Sequence, residues 1–448
     1  SYKEIGSQRT HGMTTIGRPG DKILIVGAGC FGISTAYHLL KRGFTNVTVI
    51  DRSEVLPAPD AASTDINKLV RTSYSDSFYS QLAHKAIQAW KNEDMWGDTY
   101  RESGILVLGS GGASYADKSY LNDVALGSRI TILENTESVR AIFPSDVKTG
   151  AFVNGPGYLN LDGGWARAAE GVRRMTSAVV SFGGIVLPGR SAASLVMEEQ
   201  KVVGIRCSNG EIITGDIVVL ATGAWTASTF GNLNVGDKCL ATGQSVVTIQ
   251  LTSAEAERYR QCPAMVDFSS GFYIFPPDDM DVIKMAVHDA GYTHYASGQS
   301  ESGEHASTPR TILSHGQDGL RIPRTAISKI RRFLHSVYPD LAEKPFASTR
   351  LCWYTDSPDG DWIVGSHPSH PGLILATAGS GHAYKFLPVL GELVADAIEG
   401  KLEPEVAKKF TIGRQFSSTD DSRINRTTVK NLTVDEFCEP EDLLPLPN

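Results

Sequence analysis

Cysteine is scarce in this chain. Six occur in 448 residues, at Cys30, Cys207, Cys239, Cys262, Cys352 and Cys438. None forms a Cys-x-x-Cys pair, which argues against a zinc or thioredoxin-like site, so no metal centre is expected. Such sparse usage fits free thiols in a reducing compartment, and an intracellular location, cytoplasmic or peroxisomal, is expected. The sequons at Asn425 and Asn431 then read as coincidences. The closing Leu446-Pro447-Asn448 is not a peroxisomal SKL-type address. Long apolar runs are missing too: none reaches the roughly 18 residues that cross a bilayer, so no membrane association is expected. Residues Ser1 to Gly20 lack the apolar stretch of a secretory signal. They read as a flexible tail or an added leader, with Met13 as an alternative start. Positive charge is not in surplus either. Lys and Arg number 42 against 50 Asp and Glu, for a net charge of -8, which disfavours nucleic acid as a partner.

What is present begins with size. A chain of 448 residues is too long for one core, so two domains are expected. Near the start lies an ordered series of signals. Lys22 to Val26 is a short apolar, β-branched run that reads as a buried parallel strand. It enters Gly27-Ala-Gly29-Cys30-Phe31-Gly32, a Gly-x-Gly-x-x-Gly. An apolar stripe follows at Ile33, Ala36, Tyr37, Leu39 and Leu40, and Gly43 ends the helix it implies. Val47 to Ile50 is a second strand, closed by Asp51. Each part has a physical reason. Gly27 permits the tight turn, Gly29 lets a pyrophosphate approach the backbone, and Gly32 lets helix and strand pack closely. Free N–H groups at Cys30 and Phe31 and the positive end of the helix dipole suit phosphate. Asp51 stands where a carboxylate accepts ribose hydroxyls. The series implies a dinucleotide cradle but does not choose between FAD and NAD.

Further along, Leu56 to Thr64 is loop chemistry, and Asp65-Ile-Asn-Lys68-Leu-Val-Arg71 places two cations near the cofactor edge. A long helix is expected over Tyr79 to Trp96, a strand over Gly104 to Leu108 with a turn at Gly109 to Ser114, and a helix over Gly163 to Val180. Strands are expected at Gly184 to Leu187, Ala193 to Met197 and Val202 to Arg206, with a hairpin turn at Asn209-Gly210. Asp216 to Gly223 reads as another buried strand ending in a glycine turn. Gln244 to Gln250, Phe272 to Phe275 and Val282 to Val287 look antiparallel. Residues 291 to 318 are poor in apolar groups and read as a mobile loop. Helices are expected over Ala326 to Tyr338 and Phe386 to Ile398. The fold class is therefore α/β, with a Rossmann-type cofactor domain and a second, largely antiparallel α+β substrate domain. The cofactor domain is assigned to 20–103, 160–238 and 351–448, and the substrate domain to 104–159 and 239–350.

Four segments carry a family resemblance: Gly27 to Gly32; Asn67-Lys68-Leu-Val-Arg71; Leu351-Cys352-Trp-Tyr-Thr-Asp356 with Asp361-Trp-Ile-Val-Gly365; and Ala378-Gly379-Ser-Gly381-His-Ala-Tyr-Lys385-Phe386. Together they resemble the monomeric sarcosine oxidase family, which includes pipecolate and saccharopine oxidases and the fungal fructosyl amino acid oxidases (amadoriases). The resemblance spans about residues 20 to 400. It implies FAD as cofactor, joined by a thioether from Cys352 to the flavin 8α-methyl carbon. It also implies a small-molecule amine and O2 as reactants, in a monomer.

The same resemblance assigns roles. Arg52, Gly223, Gly379 and Gly381 are expected beside the cofactor. Lys385, at the start of the last helix, is expected near the pyrimidine side of the flavin, where positive charge stabilises the reduced anion. Lys385 and Arg71 would bind the substrate carboxylate, the guanidinium in bidentate fashion. Lys284 is a charge inside an apolar strand pattern and needs a reason. The resemblance makes it the lysine that assists oxygen reduction, with Tyr273 and His288 flanking it. Lys68 stands where sarcosine oxidases carry arginine and fructosyl enzymes lysine. His288 matches a histidine of the sarcosine oxidases, where fructosyl enzymes carry glutamate. The expected activity is oxidation of a secondary amine in an N-substituted or cyclic amino acid, ahead of a fructosyl amino acid. An NAD-linked dehydrogenase would share the glycine fingerprint but leave Cys352 and Lys385 without a role. A catalytically silent FAD-binding protein would leave Lys284 without one. No hydrolase nucleophile elbow is present.

Overall fold

Short apolar runs that are buried on both faces form the centre of the molecule. The computed structural model describes residues 15–112, 114–152, 155–296, 305–423 and 429–446. The leader with Met13, the sequon residue Asn425 and the terminal Pro447-Asn448 lie outside the described residues, as does part of the 291–318 loop. Six strands make one sheet, in the spatial order Ile363–Ser366, Leu373–Thr377, Ile217–Leu220, Ile23–Val26, Val47–Ile50 and Ile185–Leu187. Neighbours run parallel except Ile363–Ser366, which is antiparallel to Leu373–Thr377. The three central strands are buried at every residue, which is why they read as continuous apolar runs rather than alternating ones.

Two helices pack against each other beside this sheet. The first is Cys30–Lys41 and the second Leu387–Ile398. Their contact is close because Gly391 has no side chain: a Cβ there would stand 2.0 Å from the Ser34 carbonyl oxygen. Ser34 Oγ donates to the Leu387 carbonyl at 2.7 Å and accepts from Gly391 N–H at 2.8 Å.

The second large sheet is mostly antiparallel. Its long strand Leu240–Gln250 pairs on one side with Val282–Val287 and on the other with Ser348–Asp356. The register sets Thr248 opposite Lys284 and Gln244 opposite Cys352. The expected domain boundary at 351 falls inside the strand Ser348–Asp356. Helix Arg324–Val337 buries Ile327, Ile330 and Leu334 in the core of this half.

Three local expectations change. The long helix over 79 to 96 is two helices, Ser77–Trp90 and Glu93–Trp96, because Asn92 caps the second by accepting from Asp94 N–H and Met95 N–H. The helix expected from Gly163 starts only at Ala168, since Gly164–Ala166 is a strand paired with Lys68–Val70. Residues 291–318 are not all loop: Tyr292–Thr293 pairs with Leu240–Gln250, and Ile312–His315 is helical.

Candidate functional site: a dinucleotide cradle and a cation-rich pocket

A cleft of about 1320 Å3 opens where the first parallel strand ends. Gly27, Gly29, Cys30, Phe31, Asp51 and Arg52 line it, joined by Lys68, Gly223, Gly379 and Gly381 from distant parts of the chain. The glycines differ in what they do. Gly27 has φ +109, and a Cβ there would meet the Ala221 carbonyl oxygen at 2.2 Å. At Gly32 a Cβ would meet the Gly27 carbonyl oxygen at 1.8 Å, so this glycine serves helix packing and lies behind the cleft wall. At Gly29 a Cβ would meet only Ser63 Oγ, at 3.4 Å. The approach to the helix N-terminus is therefore open to a phosphate. Asp51 accepts from Ala28 N–H and Ser53 N–H, both at 2.9 Å, and each carboxylate oxygen keeps a lone pair. Arg52 lies over the Trp225 ring at 3.8 Å and donates to Asp60 at 2.6 Å. Trp225 had no sequence signal, yet it forms part of the wall.

The donor set fits a bound FAD on one further observation. Asn67 is fully buried, and neither its amide nitrogen nor its amide oxygen finds a partner among the described residues. Buried amides are normally satisfied, so this one fits a ligand at its side.

Cys352 is buried one layer behind the cleft. It packs with Val246, Ala286 and Tyr354, while its neighbours Trp353 and Tyr354 line the cleft itself. Lys68 Nζ stands 3.5 Å from its sulfur. Lys68 also pairs with Asp65 at 2.9 Å. Burial opposes the charge of Lys68, but Asp65, Cys352 and Tyr354 together outweigh it and hold the ammonium well above its usual range. Asp65 gathers two more cations: Lys284 donates to it at 2.6 Å, and Arg350 lies 3.0 Å away. Burial would raise the Asp65 carboxyl, yet Arg350, Lys284 and Lys68 hold it well below the carboxylate range. Lys284 has no exposed surface, and burial pushes it down to about 8 against the pull of Asp65.

A second group of cations surrounds Tyr74. Lys385 Nζ donates to Tyr74 Oη at 2.7 Å and to the His382 carbonyl at 2.9 Å. Arg71 lies over the Tyr74 ring at 4.5 Å and the Phe268 ring at 5.1 Å. Lys385 is pushed well below its ordinary range, first by burial, then by Arg71 and Lys68. His288 is likewise kept neutral by burial and by Arg423, and its Nε2 pairs with Ser422 Oγ at 3.0 Å. Tyr273 is pushed up by burial and stands beside Tyr354 and Cys352. Arg71 and Lys385 therefore gather at Tyr74, His288 and Tyr273 beside Tyr354, and Lys284 at Asp65, all buried or half-buried and none on the cleft wall itself. Asp65, Asn67, Tyr74 and Arg350 join them without having been singled out for this from the sequence.

Among the described residues no helix is long and apolar enough to cross a membrane. The chain matches the family model described as FAD dependent oxidoreductase over residues 22–397. It is 30% identical over 406 residues to L-saccharopine oxidase of Schizosaccharomyces pombe, covering 86% of this chain and 91% of that protein. It is 23% identical over 399 residues to monomeric sarcosine oxidase of Bacillus sp. (strain NS-129), covering 86% and 95%. Its fold superposes on the deglycating enzyme fructosamine oxidase (Amadoriase II) of Aspergillus fumigatus with a TM-score of 0.77 and 28% identity, covering 89% and 92%. The glycine cradle, the mixed parallel and antiparallel sheets and this match over most of the length lead to one assignment: the chain belongs to the FAD dependent oxidoreductase family.

Proposed function

We propose that the chain oxidises the secondary amine of an N-substituted or cyclic amino acid, of the sarcosine, pipecolate or saccharopine type, and passes the electrons to O2 to give hydrogen peroxide. The observation that carries this reading is that Arg71 and Lys385 both stand against Tyr74, close to the cleft, where a bound carboxylate would supply the counter-charge that keeps Lys385 protonated. A carboxylate is the substrate group such a pair recognises. When bound, FAD supplies the acceptor, taking hydride from the carbon beside the amine nitrogen. Protein groups do the rest.

Arg71 and Lys385 bind and orient the carboxylate. The reacting amine must be neutral, and the surrounding positive charge of Arg71 and Lys68 favours loss of its proton. His288, itself neutral, and Tyr273 border the amine end of the substrate. Lys284 presents positive charge where oxygen is reduced, which favours developing superoxide. Cys352 would hold the cofactor by a thioether, and Lys68 Nζ stands 3.5 Å from its sulfur. The protein acts as a monomer.

A fructosyl amino acid is the second reading. Lys68 favours it, as does the fold shared with a fructosamine oxidase. His288 favours the first. One peroxide assay separates them, run with N-methylglycine, pipecolate, saccharopine and fructosyl-valine. Peroxide from one of the first three supports the lead reading, and peroxide from fructosyl-valine alone replaces it with the second.

A further inference from the structure

Asp65 is the one carboxylate within reach of Lys284 among the described residues, and it is shared. Lys284 Nζ donates to Asp65 Oδ2 at 2.6 Å and to the Asn67 carbonyl at 2.8 Å. Lys68 and Arg350 reach the same oxygen at 2.9 and 3.0 Å. Four elements meet here: the loop before Lys68–Val70, that strand itself, Val282–Val287 and Ser348–Asp356. The remaining groups facing Lys284 are the Phe275 ring at 4.9 Å, Thr248 across the sheet, and Tyr273 and Cys352 on the adjoining strands. One negative charge therefore stands against three positive ones, Lys284 fully buried and Lys68 and Arg350 half-buried.

A buried ammonium without a counter-charge loses its proton. Without Asp65, Lys284 would be surrounded by Lys68 and Arg350 alone. A separate hollow of about 600 Å3 also reaches Asp65 and Arg350, and it shares no lining residue with the cofactor cleft. Thr64, Thr248 and Ser348 give it a polar wall. Through it, solvent protons can reach the Asp65 carboxylate without passing the cofactor.

We infer that Asp65 is a positioning residue for oxygen reduction: it holds the proton on Lys284 Nζ, orients Lys284 and Lys68 together, and exchanges that proton with solvent through the hollow. This rests on the role proposed above for Lys284. The consequence is a pH profile. The rate at which the reduced holoenzyme is reoxidised by O2 should fall as Lys284 loses its proton. Asp65 raises the Lys284 pKa and Arg350 lowers it. Removing each should therefore move the fall in opposite directions.

The test is stopped-flow reoxidation of the reduced holoenzyme across pH, in the wild type, Asp65→Asn, Asp65→Glu, Arg350→Met and Lys284→Met. Asp65→Asn should move the fall to lower pH by about one unit or more, so at pH above the wild-type fall reoxidation slows about tenfold. Asp65→Glu, which keeps the charge, should restore the wild-type profile. Arg350→Met should move the fall to higher pH, and this arm stands even if Asp65→Asn does not hold flavin. Asp65→Asn and Arg350→Met profiles that both coincide with the wild type would overturn the proposal. A Lys284→Met enzyme that reoxidises at the wild-type rate would instead overturn the role of Lys284.

Discussion

Arg423 donates to both carboxylate oxygens of Asp356, at 2.8 and 2.7 Å, and neither side chain is exposed. Asp356 lies four residues past Cys352, and Arg423 also donates to the Ser380 carbonyl at 3.0 Å, inside the glycine turn that lines the cofactor cleft. One guanidinium thus joins the C-terminal segment, the cysteine-bearing strand and the cofactor turn. Its third partner, Asp420, accepts from Nε at 3.0 Å.

Arg423→Met should be strongly destabilising, because it removes the guanidinium charge that two buried carboxylates share. The expected loss is about 3–5 kcal/mol, read as a fall in the denaturant midpoint without a change in slope. A midpoint within error of the wild type would contradict the pairing.

The same group predicts acid sensitivity. Burial would raise the Asp420 carboxyl, but Arg423, with a smaller contribution from the Ser422 hydroxyl, holds it well below the carboxylate range. A carboxylate depressed on folding stabilises the protein at pH above its unfolded value, and that stability disappears as pH falls through the folded value. Thermal scans of wild type and Asp420→Asn should therefore converge as pH drops below the ordinary carboxylate range and diverge towards neutrality. Curves that stay parallel would argue against it.

Two glycines of one motif should fail in different ways. Gly29→Val finds room, since its Cβ meets only Ser63 Oγ at 3.4 Å, but its side chain occupies the approach to the helix N-terminus. It should fold with a near-normal melting temperature and purify without flavin. Gly32→Val faces the Gly27 carbonyl oxygen at 1.8 Å and should fail to give folded protein. Circular dichroism and flavin content together distinguish the two outcomes.

Arg71→Lys replaces a planar fork with a point charge. Loss of one charge-assisted hydrogen bond is worth about 1.5–3 kcal/mol, so kcat/KM for a carboxylate-bearing amine should drop roughly ten- to a hundredfold. An amine without the carboxylate should be turned over equally by both enzymes. An equal drop for both substrates would remove Arg71 from carboxylate binding.

Much of the architecture was legible because its elements advertise themselves locally. Ile23–Val26 and Ile217–Leu220 are buried on both faces, so each is an unbroken apolar run. The helix Tyr115–Ala125 is the opposite case. It buries only Ala116, Ser119 and Asp123, so it leaves no apolar stripe, and its clearest mark is the Ser114–Asp117 capping box. The candidate site divides in the same way. Gly27, Gly29 and Asp51 follow from one contiguous motif. Asp65 meets Lys284 across 219 positions, and Tyr74 meets Lys385 across 311. Nothing local marks either contact, because Asp65 sits among ordinary loop residues and Tyr74 in a polar stretch.

The most direct test of the account uses the holoenzyme without oxygen. It is mixed anaerobically with N-methylglycine, pipecolate, saccharopine and fructosyl-valine in turn, and the absorbance of the oxidised flavin is followed. The account predicts rapid bleaching by one of the three amino-acid amines and recovery of the band, with peroxide, when O2 is admitted. A flavin that stays oxidised with every one of these amines would contradict it.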